Sequence, residues 1–192
     1  YPVIPLVGID YFSFDFKNTK SQVNVFFAGA LLQGSYQDPN VGGTKIDAGV
    51  SVFGVAFSVT DQYYVAGEEI DTVDVKQRAQ EISGNFGYPL GNFFKIKALG
   101  SLDYVQYGHA EDAAGSFVVP SDTVELGYGL QGQFARRGWT VQAQAEEYRR
   151  STWEPWGDRD PASPAVGSLY SEFDPDDATY LRYQARVSKQ IN

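Results

Sequence analysis

Between Phe93 and Arg150, apolar and polar residues alternate almost one by one. In the run from Val124 to Phe134, Val124, Leu126, Tyr128, Leu130 and Phe134 fall on one side, while Glu125, Gln131 and Gln133 fall on the other. A period of two belongs to a β-strand with one apolar and one polar face. The run is about ten residues, longer than the mean globular strand and about what a tilted strand needs to cross a bilayer. The pattern recurs. Ile82, Phe86, Tyr88 and Leu90 oppose Glu81, Ser83 and Asn85. Phe94, Ile96, Ala98, Leu102 and Tyr104 oppose Lys95, Lys97, Ser101 and Asp103. Trp139, Val141, Ala143 and Ala145 oppose Thr140, Gln142, Gln144 and Glu146, and Leu181, Tyr183, Ala185 and Val187 oppose Arg182, Gln184, Arg186 and Ser188.

This pattern predicts an all-β chain: an antiparallel up-and-down transmembrane β-barrel of about eight strands, complete or part of a larger barrel. The strands are expected at residues 6–17, 22–36, 45–59, 77–90, 93–107, 123–136, 138–149 and 179–189. Connections alternate in length. Tight turns fall at 38–43, 90–92 and 136–138, and long polar loops at 60–76, 108–122 and 150–178. In a meander, alternate connections share an end, so the long loops gather opposite the short turns, as outer-membrane barrels arrange them. The short hairpin at 18–21 would be the exception on the long-loop side. Segments 23–32 and 52–57 are apolar on both faces and are expected to be covered on both sides.

The 192 residues are read as one domain spanning 1–192. Hydrophobic residues make up 43% and mean hydropathy is −0.31. A helical membrane protein would instead carry apolar runs of about 20 residues. Barrel strands escape hydropathy because every second residue is polar. The chain lacks Cys, which excludes disulfides, thiolate catalysis and Cys-based metal sites. A net charge of −9 argues against nucleic acid as a partner. Acidic residues such as Asp61, Asp71, Asp74, Glu111, Asp112, Asp122 and Glu154 collect in the long loops, whereas Lys45, Lys95, Lys97, Arg136 and Arg137 lie toward the short turns. Loop solvation accounts for this; bridging to lipopolysaccharide through divalent cations is the functional alternative. Residues 1–5 lack the basic start and apolar run of a signal peptide, and residues 187–192 lack a closing aromatic residue. The first is expected of a mature, trimmed or fragmentary chain, and the second favours a fragment or a chain that continues beyond Asn192.

Alternation alone does not say which face is inside. A lipocalin-like soluble barrel would turn the apolar face inward around a ligand. Strand length, loop asymmetry and aromatic belts favour a membrane, which places Glu81, Lys95, Lys97, Asp103, Glu125, Gln131, Gln133, Glu146, Arg182 and Arg186 in the lumen. Tyr88, Phe94, Phe134 and Trp139, with Tyr36 and Phe93, form the expected girdle near the short turns. Tyr104, with Phe12, Phe14, Phe26, Tyr107, Tyr148 and Trp153, forms the one near the long loops.

Chemistry is sparse. His109 is the single histidine, with Glu111, Asp112 and Ser116 nearby. Imidazole is a natural general base, yet a lone loop histidine is ordinarily just solvated. The acidic group at Asp174, Asp176 and Asp177 lacks the spacing of a calcium loop. No catalytic residue, metal site or cofactor is expected.

The stretches from Gly8 to Phe16 and from Ser21 to Gly29 resemble barrel strands of the bacterial surface-antigen superfamily, the BamA- and TamA-type assembly barrels. The superfamily's Arg-Gly-Phe-type lumenal motif does not occur here, no soluble POTRA domain lies within the 192 residues, and no residue role carries over. The resemblance implies a segment of a larger barrel acting in membrane-protein insertion or translocation. The expected function is thus an outer-membrane β-barrel in envelope assembly, translocation or structural support. Its partners would be lipid or lipopolysaccharide, and partner chains or further strands. The alternatives are a passive pore and a soluble ligand-binding barrel.

Overall fold

The structure is a computed structural model and describes residues 7–62, 64–65, 67–69, 74–111, 117–158 and 175–190. Its strands are β1 (Ile9–Phe16), β2 (Ser21–Ala28), β3 (Leu31–Asp38), β4 (Asp47–Val55), β5 (Val59–Asp61), β6 (Tyr64–Val65), β7 (Glu68–Glu69), β8 (Val75–Leu90), β9 (Phe94–His109), β10 (Phe117–Val118), β11 (Thr123–Arg136), β12 (Trp139–Arg150), β13 (Gly157–Asp158) and β14 (Thr179–Lys189). One antiparallel sheet dominates, in the order β1-β2-β3-β4-β8-β9-β11-β12-β14, with β5 also paired to β8. Two short ribbons, β6–β7 and β10–β13, lie within the long connections. No helix among the described residues is long and apolar enough to cross a membrane.

The all-β, antiparallel, sequential order agrees with the alternation; the strand count and the closure differ from expectation. The sheet is open: β1 pairs only with β2, β14 only with β12, and no pairing joins the two among the described residues. The count differs because the segment expected as one strand at 22–36 is a hairpin. Ala28 pairs with Leu31 across the two-residue loop Gly29-Ala30, and Gly29 takes φ 59°. A positive φ at the first of two loop residues is what a II′ hairpin asks of glycine. The continuous apolar run hid this turn. β4 and β5 replace the expected strand 45–59, with residues 56–58 between them; both follow the same edge of β8, so the sheet is nine strands across.

The extra hairpin reverses the sense of the first strands. The turn at residues 17–20 moves to the short-turn end, and Gly29-Ala30 becomes the one short connection facing the long-loop end. It stops below the rim, because β4 is last paired to β8 at Gly54–Gln80 whereas β8 continues to Val75. The wall therefore steps down. β1 to β4 have eight or nine residues each, and β8 to β14 of the main sheet have 11 to 16.

Burial runs against hydrophobicity. Along β9 from Phe94 to Tyr104, every residue on the apolar face is exposed and every residue on the polar face is half-buried. Leu126 and Leu130 are 51% and 58% exposed, whereas Glu125 and Glu146 are 8%. Among the described residues the buried hydrophobic core amounts to Ala28, Phe117 and Tyr148. A water-soluble fold buries its apolar face against a second layer; in this single sheet the sheltered side is the polar one. In segments 23–32 and 52–57, Val25, Phe27 and Leu32 are exposed on the apolar face, and Phe53 is exposed on the face of Glu81.

Candidate functional site

The register brings all ten polar residues expected on one face to that face. Glu81, Asp103, Glu125 and Arg150 form one row across β8, β9, β11 and β12. Four residues toward the short turns, Glu146 and Arg182 pair across β12 and β14. The next such row carries Lys97, Gln131, Gln144 and Gln184, and the one after it Lys95, Gln133, Gln142 and Arg186. Tyr88, Phe94, Tyr104, Phe134 and Trp139 all stand on the opposite face and are exposed.

The polar residues form three ionic clusters. At the short-turn side, Asp47 on β4 meets Lys95 Nζ at 2.6 Å and Lys97 Nζ at 3.8 Å. Nearer the long loops, Arg150 Nε donates to Glu125 at 2.7 Å, and the Tyr180 hydroxyl donates to the same carboxylate at 2.9 Å. Beside them, Arg182 donates to Glu146 at 3.0 Å and to the Tyr148 hydroxyl, which itself donates to Glu146 at 3.3 Å. The rings and guanidinium groups stack into a ladder. Trp153 lies under Arg150 at 4.1 Å, Arg150 over Tyr180 at 5.1 Å, Tyr180 on Tyr148 at 5.1 Å and Arg182 over Tyr148 at 4.5 Å. Such cation–π and stacked contacts strengthen where water is excluded. Gln131, Gln144 and Gln184 extend the network as an amide chain, with links of 3.0 and 2.9 Å.

Two long connections at this end of the sheet meet each other. β10 pairs with β13, Ser121 donates to Glu154 at 2.9 Å, and Phe117 is buried. Trp153, from one of these connections, stacks on Arg150, and Thr123, Glu125, Glu146 and Tyr148 are buried.

Glu81 and Asp103 are different. They oppose each other directly on β8 and β9, and among the described residues neither joins an ion pair. Ser101 donates to Asp103 at 3.2 Å. Like charges directly opposite destabilise a sheet. Glu81→Gln is expected to stabilise the fold by about 0.2–1 kcal/mol, read as a rightward shift of the urea unfolding midpoint; a leftward shift would show that the carboxylate has a favourable partner.

Several functional side chains escaped sequence reasoning. Tyr180 and Asp47 were not singled out, Arg150 was read only as half of a turn-flanking Arg149-Arg150 pair, and Tyr148 was expected in an outer girdle. Strand parity was the available signal: Tyr148 and Arg150 share the register of Gln142, Gln144 and Glu146. Phe12, Phe26 and Tyr107 likewise lie on the polar face rather than in a belt. His109 is exposed at the end of β9 opposite Val75, while Asp112 and Ser116 lie outside the described residues, as do Asp71 and Asp174. Among the described residues no group of His, Asp and Glu is placed to hold a metal ion.

No known protein family, curated protein or solved structure matches this chain.

Proposed function

We propose that this chain forms wall strands of a bacterial outer-membrane β-barrel, with the apolar face against lipid and the charged face lining the lumen. The observation that carries the reading is the inverted burial: leucines and aromatics are exposed on one side of a single sheet, and ion pairs are sheltered on the other. In hydrocarbon that arrangement is the favourable one, and in water it is not. The strand lengths, the loop asymmetry and the exposed Tyr88, Phe94, Tyr104, Phe134 and Trp139 support it. A soluble lipocalin-like barrel would need the opposite curvature.

Within lipid, an unpaired strand edge leaves N–H and C=O groups without partners, at several kcal/mol each. The outer edges of β1 and β14 therefore have to meet further strands, from this protein or from a partner chain. The role we infer is envelope assembly, translocation or structural support, which is also what the resemblance of the first strands to surface-antigen barrels implies. A filled ladder and amide chain across β11, β12 and β14 favour this over a passive pore, which needs an open lumen.

The chain is expected to stay with the membrane fraction after urea washing, to need detergent for extraction and to migrate differently on gels before and after heating. Clean monomeric behaviour in detergent-free buffer would overturn the reading. Ohmic single-channel currents from the reconstituted chain would favour the pore.

A further inference from the structure

We propose that the outward face carries a binding trough for one anionic lipid, anchored by Arg78; the inference rests on the membrane-wall reading. A shallow apolar trough of about 670 Å³ crosses that face at the break between β4 and β5. Phe27, Leu32, Val52, Ile82, Leu102 and Val124 line it, one residue from each of six neighbouring strands. At about 4.8 Å between strands, it extends on the order of 24 Å, enough for an acyl chain. Its floor includes Gly54, where the missing side chain leaves room: an added Cβ would meet only Gln80 Cγ, at 3.9 Å.

Arg78 lines the same trough. It shares the outward face with Gln80 and Ile82, three residues inside the long-loop end of β8. Its guanidinium donates to the Gln106 side chain, whose Nε2 donates in turn to the Tyr104 hydroxyl at 3.2 Å. Arg78 Nε is buried and has no acceptor, and no carboxylate pairs with the group among the described residues. Neighbouring Lys76, by contrast, is matched by Glu111 at 3.5 Å. An unmatched arginine on an apolar face calls for an anion, and at this depth near the rim the anion is a lipid headgroup phosphate. Headgroup at Arg78 and acyl chain along the trough account for both halves of the site. Uniform lipid contact would use neither the guanidinium left without a carboxylate nor the gap above Gly54.

The test uses the 192-residue chain in phosphatidylcholine nanodiscs containing a minority of phosphatidylglycerol, with native mass spectrometry of the lipids that stay bound after release. Bound lipid should be enriched in phosphatidylglycerol. Arg78→Gln should cut that enrichment about tenfold, the low end for a hydrogen bond to a charged group, and Arg78→Lys should restore most of it. Gly54→Trp should lower retention of both lipids, and Arg186→Gln, on the other face, should change nothing. Heat-modifiable gel mobility confirms that each variant is folded. A chain that inserts without enrichment, or an Arg78→Gln variant that binds like the parent, overturns the lipid site alone. A chain that remains a clean monomer in detergent-free buffer and leaves the discs empty overturns the wall reading and this inference with it.

Discussion

Leu130→Arg is expected to destabilise the membrane-inserted fold by roughly 2–4 kcal/mol, the cost of arginine at the lipid face near mid-bilayer. Leu130 lies at the middle of β11, points to the apolar face and is surrounded by Ala98 and Ala145 on the flanking strands. The adjacent substitution, Gln131→Arg, should cost only about 1 kcal/mol, mainly the hydrogen bond to Gln144. The two changes add the same charge one residue apart, so their difference reports the side and not the composition. In water the order would vanish, because an exposed leucine is replaced within about 0.5 kcal/mol. Urea titrations of folding into phospholipid vesicles measure both. Equal effects would sink the assignment of the apolar face to lipid.

Glu125→Ala is expected to cost about 3–5 kcal/mol, the loss seen when one partner of a buried ion pair is removed. The side chains of Glu125 and Arg150 are only 10% and 18% exposed. Removing the carboxylate strands the Arg150 guanidinium and the Tyr180 hydroxyl together. Because the three residues stand on β11, β12 and β14, the damage should spread to the sheet edge. Amide exchange should accelerate along β14 before it does along β8. A compensating Glu125→Ala, Arg150→Met pair should recover part of the loss, since no buried charge then remains. If the single change costs less than the double one, the cluster is not held by its ion pair.

The second half of the sheet could be read in the sequence, and the reason is physical. β11 and β14 occupy 123–136 and 179–189, as the alternation predicted, because their two faces meet different surroundings and period two survives. β2 and β3 were fused into one strand because the face shared by Gln22 and Asn24 also carries Phe26, Ala28 and Leu31. With apolar residues on both faces, parity has nothing to read, and a glycine hairpin leaves no polar mark. At the candidate site, the ten expected residues share one face, but the partners that bind them do not follow from the pattern. Arg150 and Tyr180 approach Glu125 from two later strands, and no local spacing encodes that meeting. Arg78 was invisible for a different reason: its meaning depends on where β4 stops, which is a property of the neighbouring strand.

The open sheet has an arithmetic consequence. Nine successive antiparallel strands are an odd number, so β1 and β14 run in the same direction. Rolled up edge to edge, they would meet in parallel, with slanted and slightly weaker bonds than the other eight seams. Two copies joined head to tail would merely create two such seams. Only an odd number of added strands restores an antiparallel seam all round, and a single one would give a ten-stranded ring with the even count usual for bacterial barrels.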